Sequence, residues 1–493
     1  MRVSSTSCCR NRPKADEFSC RTELLDVSYG LLFDSINDTQ HASTNMTETD
    51  VAIVESRADR ASVHICDQLR ELADWTEHRD EVRPDADGGG TYYTLADLDG
   101  VELRSFETLH IELESPANAF DCDPDLLVFA SRHSGDTGAL LTGHFTGNFG
   151  PAEYGGDDDA VAEACPNALA ELLAAFDKFA PDGYEVGMEC THHGPTDVGC
   201  PSLFAELGSD DEQWDDPEGA RAVARGILEI ARDSVAPHRD RQLVGFGGNH
   251  YAPRFERVVR ETPWAVGHIA ADWALESMGH PTAHRAVIDA AFEASQADVA
   301  LLDGEWPVLE STLDEAGHRV VSETWLREVG DRQFDLIDAV ESTLGTVEEG
   351  VRFGEHREPS FTLVDLPGDL IDTAEGIDPE RVRAIIEAHT VAFTTENGGS
   401  RVGTQFALPE GVGRLELVEE LAEVLESAYE TVTVEADAVV AEKTAFDPAL
   451  AQKSGVPEGP KFGALASGES VTVDGEEITP GRVERQQIDR FEI

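Results

Sequence analysis

From residue 51 onward, short continuous runs of Val, Ile, Leu and Phe alternate with stretches in which apolar residues recur every three or four positions. Short apolar runs predict strands buried on both faces, and the three-to-four spacing predicts amphipathic helices. The runs fall at 51–55, 108–113, 126–130, 184–190, 242–247 and 297–302. The helical spacing falls at 61–75, with Val63, Cys66, Leu69 and Leu72 on one side, and again at 160–179, 217–235, 266–279 and 282–294. Strands alternating with helices predict an α/β fold, a mostly parallel sheet with helices on both faces. Ligands of such sheets bind beyond the carboxyl ends of the strands.

The texture changes near residue 320. Histidines thin out to His356 and His389, and acidic helical spacing dominates 365–440, as at 415–429. An appended α+β domain is expected over 321–493, after a catalytic domain over 46–320. The first 45 residues differ again: they hold three of the eight cysteines and lie near charge balance. Met46 then leads directly into the first apolar run, so translation is expected to begin there.

Charge alters the picture more than composition does. Asp and Glu number 98 against 37 Lys and Arg, a formal net charge of −61, and only five of the basic residues are lysines. The acids are spread over the whole chain, and 40% apolar residues are enough for a packed core, so an acidic disordered protein is excluded. Such a surface repels itself at low ionic strength, whereas in molar salt the Debye length falls to about 3 Å. A high-salt cytoplasm is the expected setting. The cysteines form no C-x-x-C pair, which argues against a zinc ribbon or disulfide framework. No apolar run is long enough to span a membrane, and no apolar stretch follows the N-terminal arginines as in a secretory signal. One stretch runs against the acidic trend: 217–260 carries eight arginines and five acids, a balance of +3. Two readings stay open there, a solvated helix face with internal ion pairs or a contact for a phosphate-bearing partner.

Four segments place His, Asn, Gly and Thr where a core would not require them: SRHSG (131–135), LTGHFTGN (141–148), MECTHHGP (188–195) and GFGGNHYAP (245–253). Each joins an apolar strand to small residues and a side chain able to bind metal or move protons. Ester hydrolysis needs a water made nucleophilic and donors for the developing oxyanion. His133, His144, His192, His193 and His250 suit the first task, and Glu189 can orient an imidazole or shuttle the proton. Asn148, Asn249, Thr191 and the amides of Gly247 and Gly248 suit the second. On an extended chain His192 and His193 point to opposite sides, so one of the two is expected to face the substrate. No H-E-x-x-H motif occurs, and spacing alone does not establish a metal.

The segments SRHSGDTGALLTGHFTGN (131–148), EVGMECTHHGPT (185–196), VGFGGNHYAPRF (244–255) and WAVGHIAADWAL (264–275) resemble the archaeal and plant-type D-aminoacyl-tRNA deacylases over about 46–320. The resemblance implies a cytoplasmic enzyme, acting as a monomer, that cleaves the ester between a D-amino acid and the terminal ribose of tRNA, without DNA or membrane as partner. It also implies an α/β fold related to nucleoside phosphorylases and peptidyl-tRNA hydrolases, and a zinc cofactor. His144, His192, His193 and His250 are the candidate ligands. Catalysis is assigned to His192, His193, Glu189, Thr191, His250 and Asn249, and substrate binding to His133, Asn148, Gly247, Gly248, Arg254 and Arg257. The segment at 455–480 looks like one found in tRNA 3′-end endonucleases, but their H-x-H-x-D-H metal motif is absent. It reads as a tRNA-handling element or as an inert acidic appendage. The alternatives to the deacylase are a nucleoside phosphorylase or nucleosidase on the related fold, and a non-catalytic tRNA-binding module.

Overall fold

A computed structural model describes residues 49–493. The expected N-terminal extension and the Met46 start lie outside the described residues. Eight strands build the first sheet: β1 (Val51–Ser56), β2 (Trp75–Asp80), β3 (Gly90–Leu95), β4 (Val101–Phe106), β5 (Leu126–Arg132), β6 (Leu140–His144), β7 (Glu185–Met188) and β8 (Ser202–Gly208). Their spatial order is β2-β3-β4-β1-β5-β8-β6-β7. The middle four, β4, β1, β5 and β8, are parallel, while β2 and β3 add an antiparallel edge and β6 runs antiparallel to β8. A second, wholly parallel sheet comprises β9 (Gln242–Gly247), β10 (Ala265–Ala270), β11 (Val299–Asp303) and β12 (Arg319–Val321), in the order β10-β9-β11-β12. The fold is therefore α/β as expected, but with two sheets where one was read.

The helices follow local signals. In α1 (Arg60–Leu72) the carboxylate of Asp59 caps the first turn, accepting from Ala61 N–H. Proline occupies the start of α2 (Pro166–Phe179), α3 (Pro217–Arg232) and α4 (Pro253–Glu261), where its missing N–H costs nothing. α1 and α2 both pack on α3 and bury their apolar faces in one core with β1, β5 and β8. That core continues through Trp264 and Trp325 to Val351 and Ala407, so packing is continuous past residue 320.

Two expected elements differ. The run 108–113 alternates polar and apolar residues like a strand, yet His110–Glu112 is a single 3-10 turn. Its alternation is satisfied by tertiary contacts: His110 is buried edge-on against Phe129 and Phe204, and Leu113 enters the core. The span 266–279, expected as one helix, divides into β10 and a shorter helix, α5 (Asp272–Met278). All six residues of β10 are buried, and a strand buried on both faces has no periodicity to separate it from a buried helix.

After Val321 the chain combines antiparallel sheets with helices. A four-stranded antiparallel sheet carries Gly368–Glu375, Pro379–His389 and Arg414–Leu425 as helices, and a three-stranded antiparallel sheet ends at Glu484–Glu492. These two sheets share a core of their own, from Leu366 to Phe491. Among the described residues no helix is long and apolar enough to cross a membrane.

Candidate functional site

Three strand ends and one strand face meet in a cavity of about 370 Å³. His133 follows β5, the segment from Glu189 to His193 follows β7, and His250 follows β9. From β8, Phe204 and Glu206 project on the same face, two residues apart. Gly208 continues that face, and a Cβ there would stand 2.7 Å from the Cβ and Cδ2 of His133. Glycine at this position therefore makes room for the His133 ring.

The 189–193 segment is tied down on both sides. Glu189 N–H donates to Gly143 O (3.1 Å), Cys190 N–H to His250 O (2.8 Å) and Thr191 N–H to Ile269 O (2.9 Å), and His193 O accepts from Gly147 N–H (2.8 Å). His193 takes a left-handed φ of 46°, uncommon for a residue other than glycine. This overturns the expectation that neighbouring His192 and His193 diverge: their rings lie 4.4 Å apart, and both line the cavity. His144 packs on both, at 4.2 Å from His192 and 4.9 Å from His193.

The carboxylate of Glu189 organises the charges. His250 Nε2 stands 2.7 Å from its Oε2, His133 Nδ1 3.0 Å from its Oε1, and His192 Nε2 3.7 Å from Oε2. Burial alone would raise its pKa, but contacts from His133 and His250 outweigh that and hold it well below the usual carboxylate range. Glu206, equally buried, is also lowered, through His133 at 3.7 Å and His144 at 3.6 Å. Desolvation opposes the charged form of His133, yet the two carboxylates raise its pKa to about 10, so at neutral pH it is an imidazolium. Burial, and then its histidine neighbours, push His192 well below its ordinary value; burial and His144 push His193 down to about 3.

The donor set fits a nitrogen-bound divalent cation. Each of three imidazoles has its Nδ1 against a main-chain carbonyl: His144 at 3.1 Å from Phe145 O, His192 at 2.8 Å from Cys190 O, and His193 at 2.7 Å from Gly194 O. A carbonyl only accepts, so each Nδ1 carries a proton; in His192 and His193, held neutral by burial, the Nε2 lone pair is free, as in histidine ligands of zinc, whereas His144 Nε2 faces Glu206 at 3.6 Å and the carboxylate raises its pKa against burial. One ligand atom from each lies within 4.8 Å of the others, and His144 Nε2 is buried without a hydrogen-bond partner. His250 belongs to a different grouping, with Cys190 and His192, and its Nε2 is already engaged by Glu189.

Other candidates are employed elsewhere. Thr191 is buried, with its hydroxyl accepting from Ile269 N–H (3.0 Å) and facing His268 Nδ1 (3.0 Å), outside the cavity. Asn249 is exposed, and its Oδ1 accepts from Tyr251 N–H. Asn148 clamps the loop behind the site, donating to Gly155 O and Asp157 O. Gly248 N–H donates to Asp272 Oδ1 (2.8 Å), and Gly247 packs so tightly that a Cβ would meet Asp303 O at 2.0 Å. Arg254 pairs with Asp303 and Glu323, and Arg257 with Glu323 (2.7 Å). Arg232 and Arg260 are likewise paired, so the internal ion-pair reading describes these members of the arginine-rich stretch.

Several cavity residues were missed in the sequence: Glu206, Asp59, His110, Arg132 and Tyr154. Glu206 had a signal, since a lone acid inside the apolar run SLFAELG has to be buried with a partner. Asp59 and His110 had none, because each comes from a segment distant in sequence from the four motifs.

A buried carboxylate bridging imidazoles, beside a cluster of three imidazoles at the strand ends of an α/β sheet, can activate a water for hydrolysis. Comparison with known proteins narrows the class. The D-aminoacyl-tRNA deacylase family profile matches residues 120–321. A D-aminoacyl-tRNA deacylase of Halorubrum lacusprofundi is 51% identical over 480 residues, covering 90% of this chain and 97% of its own. That of Natronomonas pharaonis is 53% identical over 446 residues, covering 90% of this chain and all of its own. A crystal structure of a conserved protein of unknown function is similar at 27% identity and a TM-score of 0.49, over 57% of this chain and 97% of that one. The chain belongs to the D-aminoacyl-tRNA deacylase family. Matches covering 90% of the chain take in most of the region beyond residue 320, so that region is shared with these halophilic relatives.

Proposed function

We propose that this cavity hydrolyses the ester of D-aminoacyl-tRNA, releasing free tRNA and the D-amino acid in the cytoplasm. The observation that carries the reading is the Glu189 carboxylate, buried and ionised between His133 and His250 and next to the three-imidazole cluster. Water attacks the ester carbonyl while Glu189 takes its proton; the ester C–O bond then breaks, and the proton passes to the departing ribose oxygen. His250, whose Nε2 stands 2.7 Å from Glu189 Oε2, orients the carboxylate. The imidazolium of His133 faces the negative charge that develops on the carbonyl oxygen. His144, His192 and His193 would hold zinc, which when bound polarises the carbonyl and lowers the pKa of water.

Glu189→Gln tests the assignment, because it keeps the shape and removes the proton acceptor. Turnover of D-tyrosyl-tRNA should fall by roughly 10²–10⁴-fold, with the circular dichroism spectrum unchanged. Near-normal turnover would overturn the role of Glu189. A nucleoside phosphorylase on the same site would instead require inorganic phosphate for turnover.

A further inference from the structure

One guanidinium in the cavity wall is held by no ion pair among the described residues. Arg132, the last residue of β5, lines the cavity beside His133, and its main-chain N–H donates to Asp59 Oδ2 (3.0 Å). Its side chain lies over Trp214, with Cζ 5.3 Å from the ring centroid. Among the described residues its guanidinium forms neither an ion pair nor a hydrogen bond. The nearby carboxylate of Asp59, whose pKa burial raises and the charge of Arg132 partly brings back down, makes its hydrogen bonds to the first turn of α1 and to the Arg132 main-chain N–H, not to the guanidinium. Arg60 makes the contrast plain: it approaches the same indole, at 5.9 Å, but is bound to Asp211 (2.9 Å) and Asp215 (3.2 Å). The platform is itself fixed, since Trp214 Nε1 donates to His133 O (3.0 Å).

In a chain of net charge −61, a cavity arginine whose guanidinium N–H groups bond to no carboxylate among the described residues is available to a ligand anion. Under the deacylase reading, on which this inference rests, the anion can be named. The amino acid carboxyl is esterified, the α-amino group is a cation, and ribose and base are neutral; the anions common to every aminoacylated 3′ end, whatever its amino acid, are its phosphates. We propose that Arg132 binds the phosphate on the 5′ side of the terminal nucleotide and so seats the ester against Glu189. A planar guanidinium suits phosphate oxygens, and stacking on an indole leaves its edge N–H groups free to donate. Direct contact also suits molar salt, where long-range attraction is screened within about 3 Å but a hydrogen-bonded pair in a cavity is not.

The test compares kcat/KM for 3′-O-(D-tyrosyl)adenosine with that for the same ester bearing a 5′-phosphate, in molar KCl. Wild-type protein should favour the phosphorylated ester by about tenfold, the size of one net charge-assisted hydrogen bond. Arg132→Gln should bring that ratio close to one, mainly through KM, and Arg132→Lys should recover part of it. Arg60→Gln, which removes an equal charge from the same indole, should keep the wild-type ratio. The proposal is overturned if wild-type protein shows no preference, if Arg132→Gln keeps the preference, or if Arg60→Gln abolishes it as fully. Wild-type protein that cleaves neither ester would instead refute the deacylase reading on which the proposal rests.

Discussion

Thr191→Val separates a structural role from a catalytic one at the position beside His192. His268 is fully buried, and its Nε2 stands 2.8 Å from Ala162 O, an acceptor, so the proton is on Nε2 and Nδ1 accepts. Burial pushes its pKa down to about 4, so it is neutral. The chain of bonds then runs one way: Ile269 N–H donates to Thr191 Oγ1, and the Thr191 hydroxyl donates to His268 Nδ1. Valine keeps the volume and removes both partners at once. Each buried group left unpaired costs about 1–3 kcal/mol, so the variant should lose roughly 2–6 kcal/mol of stability. That is a large share of a net stability of about 5–15 kcal/mol. Urea titration at constant molar KCl would measure the loss, alongside activity per folded molecule. Thr191→Ser restores the hydroxyl and should recover most of the stability. A Thr191→Val protein as stable as wild type but without turnover would refute this reasoning and make Thr191 a catalytic residue.

Gly208→Ala probes the packing behind His133: its new Cβ would displace the imidazole from Glu189, so kcat should fall by about tenfold or more, while an intact circular dichroism spectrum shows the fold is kept. Unchanged kcat would mean that His133 need not hold its place. At the edge of the second sheet, contacts with Arg257 and then Arg327 lower the pKa of Glu323 from 4.5 to about 2. A lowered folded-state pKa contributes stability that is present above 4.5 and lost as pH falls towards 2. The thermal midpoint of wild type should therefore exceed that of Glu323→Gln above pH 4.5, and the gap should close below it. A gap independent of pH would contradict the ion-pair account.

Much of the parallel framework was legible because strands such as Gln242–Gly247 are apolar on both faces and stand between helices that open on proline. The polar edge strands Trp75–Asp80 and Gly90–Leu95 carry no such run, and β10 was hidden because burial on every side erases its period. Within the site, His133, His192, His193 and His250, singled out by their strand-plus-glycine setting, line one cavity. Roles for Thr191, Asn249 and Asn148 were harder to read, since donors that serve an oxyanion and donors that hold a loop are the same residue types. The left-handed backbone at His193, which turns two adjacent imidazoles towards each other, has no sequence signal at a non-glycine position. Arg132 was passed over because its distinguishing property is the lack of a partner, visible only once the other charges have been placed.

The most direct test of the central claim is ester loss from tRNA charged separately with D-tyrosine and with L-tyrosine, followed in molar KCl with and without a chelator. The account predicts rapid loss of the D-ester, survival of the L-ester, and slowing of the reaction by the chelator as metal leaves His144, His192 and His193. Equal loss of both esters, or of neither from protein shown to be folded, would contradict it.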